Sequence, residues 1–213
     1  MNEHVKEYYR KIFKQLHKVF KEKNIESTLC ENIQDANRFI LSLIPPGKSV
    51  GYGGSTTLEE MNFHHEIRSY DVKLFDRMAE GISKQEKREI QKQSLTADYF
   101  ITGANAVSMK GELFFIDGVG NRVAPINYGP DKVVVVTGVN KICPDEEYAN
   151  KRMKFFSCPV NSIRLDLNTP CAKTGLHTDC RSDDRVCSFT LKVDFSRVKD
   201  RIHVVFINEF LGF

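Results

Sequence analysis

Between Cys171 and Cys187 the run Cys-Ala-Lys-Thr-Gly-Leu-His-Thr-Asp-Cys-Arg-Ser-Asp-Asp-Arg-Val-Cys holds three of the chain's six cysteines and one of its six histidines. Cys171, His177, Cys180 and Cys187 have the spacing C-x5-H-x2-C-x6-C. Thiolate and imidazole are the donors that suit zinc or iron, so this set points to one metal centre, zinc or iron–sulfur. The opposing reading is that cysteines are common buried apolar residues and that any loop can carry a histidine. A polar, Gly- and Asp-containing segment is a poor place to hide thiols as core fillers, which weighs toward metal.

A second group of residues has the chemistry of ligand binding. Gly51-Tyr-Gly-Gly-Ser-Thr-Thr57 reads as the end of a strand opening a helix, where backbone amides favour an anion and glycine lets a ligand approach the main chain. It is neither a dinucleotide fingerprint, since Thr56 stands at the third glycine's place, nor a Walker loop. The alternative is a tight turn in which Ser55 or Thr56 caps the helix. Thr102-Gly-Ala-Asn105 follows another strand, and Asp117-Gly-Val-Gly-Asn-Arg122 adds a guanidinium. The candidate ligand-binding set is therefore Gly53, Gly54, Ser55, Thr56, Thr102, Gly103, Asn105, Asn121 and Arg122. Arg122, through its planar fork, is the expected partner of a carboxylate or phosphate, with an ordinary ion pair as the alternative. His64 and His65, with Glu59 and Glu60 nearby, could contribute acid–base groups, but a histidine pair on a helix-to-strand connection is expected to face solvent. No flavin or nicotinamide motif is visible, and the catalytic residues are not identified by sequence.

The elements that must position these groups alternate. Residues 3–23 repeat apolar groups at Val5, Tyr9, Ile12, Phe13, Leu16, Val19 and Phe20, a helical spacing. A strand at 25–30, a helix ending before Pro45-Pro46-Gly47, and strands at 71–75 and 99–102 around a helix at 83–96 follow. A hairpin is expected around Lys110-Gly111, then a long loop or second hairpin over 119–130. Lys132–Val136 reads as a central strand, 145–155 as a helix and 202–208 as a last strand. The pattern predicts one α/β domain over 1–213, with an N-terminal helix at 1–24. A largely parallel, Rossmann-like mixed sheet carries helices on both faces. The cysteine-rich loop at 168–190 is inserted before the last strand.

With 41% hydrophobic and 28% charged residues in 213, the composition is that of an ordinary globular protein. A net charge of +3, concentrated in the first helix, is too small for a nucleic-acid binder. No run is long enough to span a membrane, and the first residues carry no apolar signal segment. The expected location is the cytoplasm, where six cysteines remain thiols.

Several motifs together are similar to a known family. Gly53-Gly-Ser-Thr-Thr-Leu, Ala97-Asp-Tyr-Phe-Ile-Thr-Gly-Ala-Asn-Ala, Gly111-Glu-Leu, Gly118-Val-Gly-Asn-Arg-Val, Tyr128-Gly-Pro, Val139-Asn-Lys-Ile and Thr169-Pro-Cys-Ala-Lys-Thr-Gly resemble the lactate-utilisation (LUD) domain family in its short single-domain form. The resemblance implies a fold of the NagB/RpiA/CoA-transferase-like group. It also implies a small anionic metabolite as ligand, and a role in lactate or hydroxy-acid oxidation alongside iron–sulfur protein subunits. Relatives with this loop carry cysteine where this chain has His177, which leaves zinc and iron–sulfur both open. Two other functions remain in play: a non-catalytic, metal-stabilised binding or assembly subunit, and an acyl-CoA- or sugar-phosphate-linked enzyme by fold analogy. All these readings place the ligand on the glycine-rich loops, away from the cysteine loop.

Overall fold

The computed structural model describes residues 1–213. The elements run α1 (Glu3–Glu22), β1 (Ile25–Cys30), α2 (Ile33–Ser42), β2 (Ser49–Tyr52), α3 (Thr56–Glu60), α4 (Phe63–Arg68), β3 (Lys73–Phe75), α5 (Lys84–Gln93) and β4 (Tyr99–Gly103). They continue with β5 (Ala106–Ser108), β6 (Leu113–Asp117), α6 (Val123–Asn127), β7 (Lys132–Gly138), β8 (Ile142–Cys143), α7 (Glu146–Arg152), α8 (Cys158–Arg164), α9 (Pro170–Thr174), β9 (Phe189–Val193) and β10 (Ile202–Ile207). Local signals account for most boundaries. Asn2, Asn32 and Ser83 accept hydrogen bonds from the first turns of α1, α2 and α5, satisfying amides that a helix start leaves open.

Six strands form one sheet in the order β1-β10-β7-β4-β2-β3, every pair parallel. The β-branched run of β7 supplies both faces: Val134 and Val136 pack with α2, α3 and α4, while Val133 and Val135 pack with α1 and β6. Phe206 of the neighbouring β10 is fully buried between Phe13 and Phe20 of α1. The sequence expectation of a mixed, mainly parallel α/β sheet is what the chain forms.

A four-stranded sheet, β8-β5-β6-β9, covers the α1 side. Its hairpin β5–β6 was expected, but its outer strand β9 was not. After the cysteine loop the chain pairs antiparallel with β6, Phe189 opposite Asp117 and Val193 opposite Leu113, before entering β10. The insertion therefore begins and ends on ordered structure. Two other expectations change. The region 119–130 contains the short helix α6, whose first amides are held by the Asp117 carboxylate rather than by a second hairpin. The helix expected at 145–155 continues through a π-helical turn at Met153–Ser157 into α8, with Pro159 tolerated in the first turn of that helix. No helix is long and apolar enough to cross a membrane.

The connections leave the sheet on opposite sides where β2 and β4 lie together. From β2 the chain passes to α3 and α4 on one face, and from β4 to the β5–β6 hairpin on the other. Divergent connections of this kind open a crevice beyond the carboxyl ends of the strands.

Candidate functional site

A cleft of about 370 Å³ lies there. Seven of the nine residues expected to bind ligand line it: Gly54, Ser55, Thr56, Gly103, Asn105, Asn121 and Arg122. Gly53 and Thr102 lie behind that surface and explain each other. A Cβ on Gly53 would stand 2.8 Å from the Thr102 hydroxyl and 2.9 Å from Arg122 Cγ. Gly103 lacks room for a side chain because the Ser55 hydroxyl occupies the space. The glycines thus serve close packing among the loops themselves. Ser55 accepts a bond from the Leu58 amide at 3.4 Å, the capping role weighed for it, and α3 spans only one and a half turns.

Arg122 sits at the centre of the cleft wall, and its guanidinium is engaged internally. Nε donates to Asp117 Oδ1 at 2.7 Å, Nη1 to the Gly103 carbonyl at 3.3 Å, and Nη2 to the Ile116 carbonyl at 2.7 Å and Asn105 Oδ1 at 3.0 Å. Asp117 Oδ2 in turn takes the amides of Arg122 and Val123 at 2.7 and 3.0 Å. Both side chains are nearly buried, at 13% and 3% exposure, so the two charges neutralise each other inside the wall.

The cation that sequence reasoning missed is Arg77, one residue past Asp76 at the end of β3. It lines the cleft over the glycine loop, so close that a Cβ on Gly54 would lie 2.8 Å from its Nη1. Arg77 Nε and Nη1 are buried and have no hydrogen-bond partner. Burial pulls its pKa below the ordinary guanidinium value. The adjacent carboxylate, Asp76, does not pair with it; Asp76 takes Tyr52 Oη, Arg68 Nε at 2.7 Å and the Met78 amide at 2.9 Å. No local motif announces Arg77; its place over Gly54 is set by the pairing of β3 with β2.

The expected solvent-facing histidine pair divides. His65 is exposed, but His64 stacks on Tyr52 with ring centroids 4.5 Å apart, and burial lowers its pKa to about 4.

The cysteine loop and the residues just before it form the opposite wall. Leu165, Leu167, Asp183, Asp184, Arg185 and Val186 line the cleft, and a Cβ on Gly118 would meet the Arg185 carbonyl at 2.9 Å. The separation expected between ligand loops and cysteine loop does not hold; they face each other. The four expected ligands are arranged as follows. Cys171 Sγ is buried, 3.3 Å from Thr169 Oγ1 and 3.5 Å from Ser162 Oγ. Cys187 Sγ accepts from Arg185 Nε at 3.2 Å, and its neighbour is Cys158 at the start of α8. Burial, with Cys187 and Cys171 nearby, pushes the Cys158 thiol up to about 12. Cys180 is half-buried, and His177 Nε2 is buried without a hydrogen-bond partner, 3.7 Å from Asp179. Nowhere do three His, Cys, Asp or Glu side chains gather at metal-binding spacing, so these residues as placed do not form a ligand shell.

The sequence profile of the LUD domain matches residues 13–207. The chain belongs to the LUD domain family. Among solved structures, this LUD-domain protein is similar to a DUF162 family protein from Deinococcus radiodurans, at 13% identity and a TM-score of 0.49, over 93% of this chain and 97% of that one. It also matches ribose 5 phosphate isomerase A from Neisseria gonorrhoeae (16% identity, TM-score 0.34, 52% of each chain). A third is eIF2B beta from Chaetomium thermophilum (18% identity, TM-score 0.38, 55% of this chain and 44% of that one). No curated protein matches the sequence.

Because Arg122 and Asp117 satisfy each other in a nearly dry wall, deleting one strands the other. Arg122→Ala is expected to lower unfolding free energy by about 3–5 kcal/mol, the cost of breaking a buried pair. Urea denaturation checks this, and a loss under about 1 kcal/mol would mean the pair is solvated like a surface ion pair.

Proposed function

We propose that this LUD-domain protein binds a small organic anion in the cleft, with the ligand's carboxylate or phosphate on Arg77. The observation that carries the proposal is the unpartnered guanidinium. Its buried Nε and Nη1 have lost water without gaining an acceptor, and an anion entering the cleft would supply both charge and acceptors. At the mouth Arg164 is paired with Glu59 at 3.2 Å and Arg185 stands beside Asp183 and Asp184, which leaves Arg77 as the guanidinium without an acceptor. Ser55, Thr56, Asn105 and Asn121 offer neutral donors and acceptors around the rest of a polar ligand. A hydroxy- or keto-carboxylate suits this arrangement. Oxidation of such a ligand would draw its electron carrier from iron–sulfur partner subunits. The six free thiols favour a reducing compartment, the cytoplasm.

The test is calorimetry with oxalate, L-lactate and inorganic phosphate as probes. Arg77→Met, which keeps the stem and removes the charge, is expected to weaken binding of the preferred probe by about 1.5–3 kcal/mol. Equal affinity in the variant and the parent would remove Arg77 from the site.

A metal at the cysteine loop is a second proposal, favoured by the orphaned His177 nitrogen. It requires His177 and Cys180 to swing toward Cys171 and Cys187, closing the loop on one ion. Stoichiometric zinc or iron in anaerobically purified protein is the expected result. Metal-free protein with an unchanged melting temperature would reject it.

A further inference from the structure

Lys141 is the chain's only buried lysine, at 2% exposure, and nothing in the anion-binding reading uses it. It stands at the end of the turn after β7 and lines the same cleft as Arg77 and Ala104. Its Nζ donates to Thr57 Oγ1 at 2.8 Å and to the Ala104 carbonyl at 3.2 Å. Both partners are neutral, and no carboxylate reaches it as an ion pair. The charged groups around it are mainly cationic, Arg152 and Arg122, with Glu60 the one acid. The C-terminal tail closes over the amine, since a Cβ on Gly212 would lie 3.0 Å from Nζ. A buried lysine with no carboxylate in contact and two cations nearby is held toward its free-base form, and burial brings its pKa to about 7. Two neutral acceptors occupy two of the three positions around the nitrogen, leaving one direction for a lone pair.

We propose that Lys141 is a nucleophilic amine that captures the carbonyl carbon of an oxo-carboxylate held in this cleft, forming an imine. The proposal rests on the anion-binding reading and names the class of ligand within it. The Nζ lone pair forms the C–N bond while the carbonyl π pair moves to oxygen, which takes a proton. Nitrogen gives up one proton, the new hydroxyl takes a second proton and leaves as water while the nitrogen lone pair forms the C=N bond, and the resulting iminium releases the last N–H proton. Two protons pass from nitrogen to oxygen and no electrons are gained or lost overall. An uncharged lysine is required for the first step, which is why such amines occupy desolvated or cation-flanked sites.

The rival role for Lys141 is a structural tie between Thr57 and Ala104, and a variant alone would not separate the two. The test therefore uses the unaltered protein, incubated at pH 7 with pyruvate or glyoxylate and sodium cyanoborohydride, followed by peptide mass mapping. Hydride transfer to the imine leaves a secondary amine carrying the ligand's mass less one oxygen atom. Labelling of Lys141 is expected to exceed that of any exposed lysine by about tenfold, since exposed amines are almost fully protonated at this pH. Excess oxalate should suppress it. Even labelling across surface lysines, or none at Lys141, overturns the proposal. Oxalate binding that depends on Arg77 without an adduct at Lys141 rejects the imine and keeps the anion site. Absence of both rejects the two together.

Discussion

The Asp117–Arg122 pair is the joint on which the cleft depends. Asp117 ends β6 in one sheet; Arg122 reaches from there to the Gly103 carbonyl at the end of β4 in the other sheet, and to Asn105 between them. One guanidinium and one carboxylate thus fix two sheets and the start of α6 against each other. A charge pair with this many hydrogen bonds tolerates burial because nearly all its lone pairs and protons are satisfied. Gly53 and Gly103 follow from the same constraint, since Arg122, Thr102 and Ser55 fill the space their side chains would need.

With that joint satisfied, the charge left over in the cleft wall is informative. Arg122 is spent, Arg164 has Glu59, and Arg185 has the Cys180 and Cys187 carbonyls. Arg77 alone presents buried guanidinium nitrogens, Nε and Nη1, without an acceptor. Lys141 is the complementary case: its donors are met by neutral atoms, so its charge, not its hydrogen bonding, is what burial opposes. Together they give the cleft one group suited to hold an anion and one suited to react beside it.

Most of the fold was legible because it rests on local periodicity. The apolar repeat of α1 and the Val133–Val136 run of β7 fix a helix and a two-faced strand without reference to the rest of the chain. β9 is also written locally, in Phe189, Leu191 and Val193 alternating with Thr190 and Lys192, but five residues directly after a cysteine-rich loop are too short a run to stand out as a strand. The strand-end loops were legible as the wall of a cleft because glycine and hydroxyl residues cluster there. Arg77 and Lys141 were not, because their environment is made by partners far along the chain: Gly54 across a strand pair, and Thr57 and Ala104 across the cleft. The convergence of the cysteine loop on the same cleft is likewise a product of β9 pairing with β6, which no spacing of cysteines reveals.

The central claim is that the cleft beside Arg77 takes an anion, and anomalous scattering observes that without assuming a substrate. Crystals grown with selenate in place of phosphate and sulfate should show one strong anomalous peak within hydrogen-bonding distance of the Arg77 guanidinium, between the glycine loop and the 183–186 wall. A water-filled cleft, with selenate bound only at surface cations, would contradict the account.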